Sequence, residues 1–143
     1  MKASMKISKH VVLLFGVLIL LAITSAAQTG QKDAASCRPP KLSTRDDSTM
    51  FGRLIVAIED LGGGYYKEAE GRYSGIVRDI DKKVYHPCLQ WMAYDGYGQT
   101  LTALKKKDKA IVALTHAVEL AKNLSPEEQK QSAQHLDAAQ TLN

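Results

Sequence analysis

The chain lacks the short motifs that mark most catalytic sites. It has no Gly-x-Gly-x-x-Gly, no phosphate-binding loop and no nucleophile elbow. Gly62-Gly63-Gly64 precedes a helical pattern, but it also follows one, so it reads as a helix terminator and not as a phosphate cradle. His86, His116 and His135 are far apart, and none has a His or Cys partner at a zinc-binding spacing. Asp79 and Asp81 are two residues apart, a spacing that does not share a helix face. Asp46-Asp47 fits helix-start chemistry better than acid–base work. Without a supporting constellation, no enzyme, cofactor or metal is expected.

Long apolar runs are also scarce. The one present, Val11 to Ile23, is broken only by Gly16 and has 13 residues, against roughly 20 needed to span a bilayer. Lys2, Lys6 and Lys9 precede it, and Thr24-Ser25-Ala26-Ala27 follows with small residues suited to a peptidase. Residues 1–27 therefore read as a secretory signal peptide cut after Ala27, the other reading being an anchor left in place. The expected location is outside the inner membrane, periplasmic or extracellular. Ala34-Ala35-Ser36-Cys37 faintly resembles a lipoprotein site, but thirteen mostly polar residues separate Ile23 from Cys37, and Ala34 stands where a leucine-like residue belongs.

Charge of one sign is lacking as well. The whole chain is +4, with 19 Lys and Arg against 15 Asp and Glu. Cutting at Ala27 removes three of those lysines and no acid, leaving 16 against 15, or +1. A mature chain this close to neutral has no basic field for nucleic acid, and no membrane surface is expected to hold it. The dense run Lys105-Lys106-Lys107-Asp108-Lys109 reads as a solvated turn. Of the two cysteines, Cys37 and Cys88, each is the other's natural partner in an oxidising compartment. The functional rival is a reactive thiol at Cys88, which follows Pro87 at a helix start.

What is present is helical periodicity. Residues 28–47 carry no apolar period and are expected to form an irregular arm. From Ser48, with Asp47 or Ser48 as cap, Met50, Phe51, Leu54, Ile55, Ala57, Ile58 and Leu61 make one apolar face that ends at the three glycines. Ala69, Tyr73, Ile76, Val77 and Ile80 mark a second helix from about Tyr66. Pro87 opens a third, roughly Cys88 to Leu104, and Asp108 is placed to cap a fourth that carries Ala110, Ile111, Leu114, Ala117, Val118, Ala121 and Leu124. Ser125-Pro126-Glu127-Glu128 starts a fifth, with Ala133, Leu136 and Ala139 inward. The fold class is all-α, built of antiparallel helical hairpins, with the helical domain over 48–143.

One stretch has a finer pattern. Tyr94-x-x-Tyr97-Gly98-x-x-Leu101 is followed, after eight residues, by Ala110-x-x-x-Leu114-x-x-Ala117. In order and spacing these seven residues resemble a tetratricopeptide repeat, over Trp91 to Leu124. Small Gly98 and Ala110 let two helices approach, Ala117 admits the next helix, and Tyr94, Tyr97, Leu101 and Leu114 fill the space beside them. Trp91, Tyr94 and Tyr97 read as core, with an aromatic platform as the alternative. The first hairpin resembles the unit less closely: Ala57, Gly64, Tyr66, Ala69 and Tyr73 fit, whereas Asp60 and Ile76 do not. Ala69 and Ala110 are 41 residues apart, seven more than the standard period.

The resemblance implies an α-solenoid fragment of two repeats, about 48–83 and 91–124, with a capping helix at 126–141. It implies a protein or peptide partner, held on the inner face of the first helix of each repeat. The matching positions are Met92, Asp95, Gln99 and Thr102 in the second repeat. In the first they are Phe51, Leu54 and Ile58, which the N-terminal arm is placed to cover. The alternative function is a permanent structural subunit of a larger envelope complex, because two repeats are fewer than the roughly three that usually stand alone.

Overall fold

The computed structural model describes Cys37 and residues 40–143. The expected signal peptide and residues 28–36 of the expected arm lie outside the described residues. The rest is all-helical: α1 (Arg45–Gly62), α2 (Tyr66–Ile80), α3 (Pro87–Ala103), α4 (Lys107–Ala121) and α5 (Pro126–Gln140). No strand occurs among the described residues.

The starts of α1 and α4 differ from expectation, and α5 starts where expected with different cap chemistry. The first helix begins at Arg45, one turn earlier than Ser48. Thr44 is its cap, with Oγ1 accepting the Asp47 N–H at 3.0 Å while its hydroxyl donates to Asp47 Oδ2 at 2.7 Å. Asp47 is thus the third residue of the helix, and it is buried because its other oxygen accepts the His86 N–H at 3.0 Å. Asp108 is not a cap either: Lys106 holds that position, with no side-chain bond, and Asp108 lies in the first turn, where its charge still favours the helix dipole. Ser125 caps α5 by position, as expected, but its hydroxyl donates to the Glu128 carboxylate and accepts from no backbone N–H. Glu128 is buried, and its second oxygen accepts the Cys37 N–H at 3.1 Å.

The two hairpins turn alike. After α1, Gly64 adopts φ +79°, the Tyr65 N–H reaches Asp60 O at 2.8 Å and the Gly64 N–H reaches Leu61 O at 3.2 Å. After α3, Lys105 adopts φ 57°, with Lys106 N–H to Leu101 O and Lys105 N–H to Thr102 O, both at 2.9 Å. Each is a left-handed helix C-cap closed by a Schellman pair of bonds. They are offset by 41 residues, the same interval that separates buried Ala69 from buried Ala110. In the first turn glycine meets the positive φ without strain; in the second a lysine bears it.

Each helix packs on its neighbour in sequence, and α1 on α3 and α3 on α5 as well. The outer pair α2 and α4 do not pack on each other. The odd helices therefore form a continuous inner layer and the even ones a divided outer layer, a repeat-like arrangement. Met50, Leu54 and Ala57 of α1 join Ala69, Tyr73, Ile76 and Ile80 of α2 and Leu89 and Ala93 of α3 in one core cluster. Leu101, Ala110, Ala113, Leu114 and Ala139 form a second. The third surrounds the disulfide: Cys37, Cys88, Trp91, Ala117, Ala121 and Leu124.

Candidate functional site: a groove on the inner helices

The cysteines are paired. Cys37 and Cys88 form a disulfide with Cα atoms 5.4 Å apart, so neither is a free thiol. The bridge places the backbone of Cys37 beside α3 and the start of α5, where Glu128 holds it. Among the described residues no helix is long and apolar enough to cross a membrane, and no cluster of His, Cys, Asp or Glu is arranged for a metal.

Next to this bridge lies a groove of about 460 Å³. Its walls come from Ile58, Leu61 and Gly62 of α1, Trp91, Met92, Asp95, Gly96 and Gln99 of α3, Gln131 of α5, Tyr73 of α2, and Cys37. Three of the four positions singled out on the third helix, Met92, Asp95 and Gln99, thus share one concavity. Thr102 does not: it lies a turn further on, and its hydroxyl donates back to Gly98 O at 2.9 Å. Of the matching positions on α1, Ile58 lines the groove and is 38% exposed. Leu54 is fully buried and Phe51 half-buried against the first core cluster, and Leu42 from the arm packs on that cluster too.

The floor of the groove is polar. Asp95 is only 2% exposed. Its carboxylate takes Gln99 Nε2 at 2.9 Å, Gln131 Nε2 at 3.4 Å, and His135 Nδ1 at 3.0 Å from both oxygens. Burial of a carboxylate is unfavourable unless hydrogen bonds replace lost water, and these partners from α3 and α5 do that. Above it Tyr73 is fully buried, and its hydroxyl has no hydrogen-bond partner. That burial, with the charge of Asp95 second, holds the phenol well above its ordinary titration range, so it stays neutral.

Two glycines make this geometry possible. A Cβ on Gly96 would stand 2.3 Å from the Tyr73 hydroxyl, and one on Gly98 would stand 2.3 Å from Leu114 Cγ. The role of Gly98 was legible in its pattern with Ala110 and Leu114. The role of Gly96 was not, because its partner lies 23 residues away on another hairpin. The available hint was a second glycine inside one helix, which costs about 1 kcal/mol against alanine and so asks for a packing reason.

The remaining pattern residues divide. Leu101, Ala110, Leu114 and Ala117 are buried, as is Gly98. Tyr94 and Tyr97 are only half-buried. Tyr94 sets its ring 4.1 Å from that of His116 and donates its hydroxyl to Asp81. Burial first, then the bond to Asp81, keeps this phenol protonated as well. Trp91 is core, 3% exposed, with Nε1 donating to Ser132 Oγ at 2.7 Å. On α5, Ala133 faces solvent, contrary to expectation; Glu128, Ser132 and Ala139 face inward. Leu136 and Ala139 pack on the second core cluster as expected, and the periodicity missed only the polar residues Glu128 and Ser132 that share the buried side. No protein-family model, curated protein or solved structure matches the chain.

Proposed function

We propose that this chain is an exported interaction module of the tetratricopeptide kind, which holds a peptide or protein segment in the groove of α1, α3 and α5. The observation that carries the reading is the convergence of Met92, Asp95 and Gln99 with Ile58 in one concavity on the inner layer. Apolar walls around a few placed polar groups are what a segment-binding surface needs. The disulfide supports an oxidising compartment, and so a chain that leaves the cytoplasm behind a cleaved leader. The work assigned to the groove is recognition and not catalysis.

The test is affinity capture of the mature protein's partners from its native host, compared with an Ile58→Lys/Gln99→Lys variant whose circular dichroism matches the parent. Loss of the captured species is expected. Undiminished capture by the variant overturns the groove. The second reading, a permanent subunit of an assembly, draws on Ile55, Val56 and Val112, which are 37%, 39% and 72% exposed. Light scattering separates the two: a folded monomer at micromolar concentration decides for the module.

A further inference from the structure

Within the groove, which this inference takes as the segment-binding site, the polar floor has a chemistry of its own. Among the described residues that line it, Asp95 is the one formal charge, with no Lys or Arg. Gln99 and Gln131 solvate that carboxylate without neutralising it. His135 sets Nδ1 3.0 Å from both carboxylate oxygens, on the α5 side of the carboxylate. In the same lining the Tyr73 hydroxyl is wholly buried and unpartnered. Native proteins rarely leave such a group unmatched, and an unmatched one calls for an explanation. A hydroxyl and a carboxylate in the lining of one groove offer oxygen lone pairs to a donor. The approach to them passes Ile58, Leu61 and Met92, which suit an aliphatic stem.

We propose that the floor of the groove is a pocket for one basic side chain of the bound segment, a lysine or arginine. Its methylene stem lies along Ile58, Leu61 and Met92, and its cationic head donates to Asp95 and to the Tyr73 hydroxyl. An acidic side chain is rejected there, because it would bring a second carboxylate against Asp95 in a lining whose described residues include no Lys or Arg. The chain thus selects a partner by a buried acid and not by its surface, which at +1 for the mature chain has no strong field of either sign.

The experiment is a set of short fluorescent peptides that share apolar flanks and differ at one central residue: Lys, Arg, Met or Glu. They are titrated into the oxidised mature protein, into Asp95→Asn and into Tyr73→Phe. The parent is expected to prefer Lys and Arg over Glu by roughly tenfold or more. Asp95→Asn should lose that preference and retain its affinity for the Met peptide. Tyr73→Phe should weaken the basic peptides several-fold without lowering the melting temperature, since the hydroxyl it removes has no partner in the fold. This second variant keeps the test decisive if Asp95→Asn does not fold. Binding without a charge preference, or a preference that survives Asp95→Asn, overturns the basic pocket and leaves the groove standing. Failure of the parent to bind any of the peptides overturns both.

Discussion

Gly98 admits only hydrogen. Its Cα faces Leu114 so closely that a methyl group would overlap the branching carbon of that side chain, which cannot swing away as a flexible tip could. Gly98→Ala should therefore destabilise the fold by about 1–3 kcal/mol, overpacking outweighing the better helix propensity of alanine. Urea unfolding followed by circular dichroism measures it; an unchanged or raised midpoint would sink the packing account. Gly52, with nothing within 4 Å of its would-be Cβ, is the control that should tolerate the same change. At this scale the sequence was partly readable. Gly98, Ala110, Leu114 and Ala117 form a local pattern, because their partners lie within one hairpin. Tyr73 over Gly96, Trp91 on Ser132 and His135 on Asp95 join different hairpins or the last helix, and nothing in residue spacing announces such pairs.

Helix starts hold the hairpins in register, and Asp47 shows how. One carboxylate serves two helices: it completes the Thr44 cap of α1 and accepts the His86 N–H at the head of α3. The His86 backbone bond, with Thr44 and the nearby cations helping against burial, holds its pKa below the ordinary 3.8. A lowered folded value means the fold favours the ionised form. The stabilisation is complete above pH 3.8 and is lost as the pH falls through the folded value. Asp47→Asn should cost about 1–2 kcal/mol at neutral pH, and the gap in melting temperature from the parent should close below about pH 4. A gap that persists unchanged into acid would contradict this assignment. Five helices were foreseeable because their punctuation is local: Gly62-Gly63-Gly64, Pro87 and Ser125-Pro126 each act within a few residues. The extra turn of α1 was not, because Arg45 and Asp46 are exposed and add no apolar period; only the Thr44 to Asp47 spacing could have shown it. The buried side of α5 was legible at Leu136 and Ala139 but not at Glu128 and Ser132, because an acid and a hydroxyl add no apolar period.

For the whole molecule, the disulfide closes a loop across 51 residues that includes both helices of the first hairpin. Opening it with Cys37→Ser/Cys88→Ser should lower stability by roughly 2–4 kcal/mol. Superimposable denaturation curves for the parent and the double variant would show that the bridge adds nothing. The layering has a mechanical consequence. Because α1, α3 and α5 pack in an unbroken row while α2 and α4 stay apart, resistance to bending is unequal on the two sides. The inner row acts as a stiff spine. On the outer side lies a cleft of about 470 Å³, bordered by Val77, Asp81, Tyr94 and Val112; Tyr94 of α3 donates to Asp81 at the end of α2, and Lys106 at the head of α4 pairs with Glu70 of α2 at 2.6 and 2.7 Å. Those two tethers are exposed and individually weak. The groove is thus backed by an unbroken row of packed helices, whereas the opposite side is joined by exposed surface pairs.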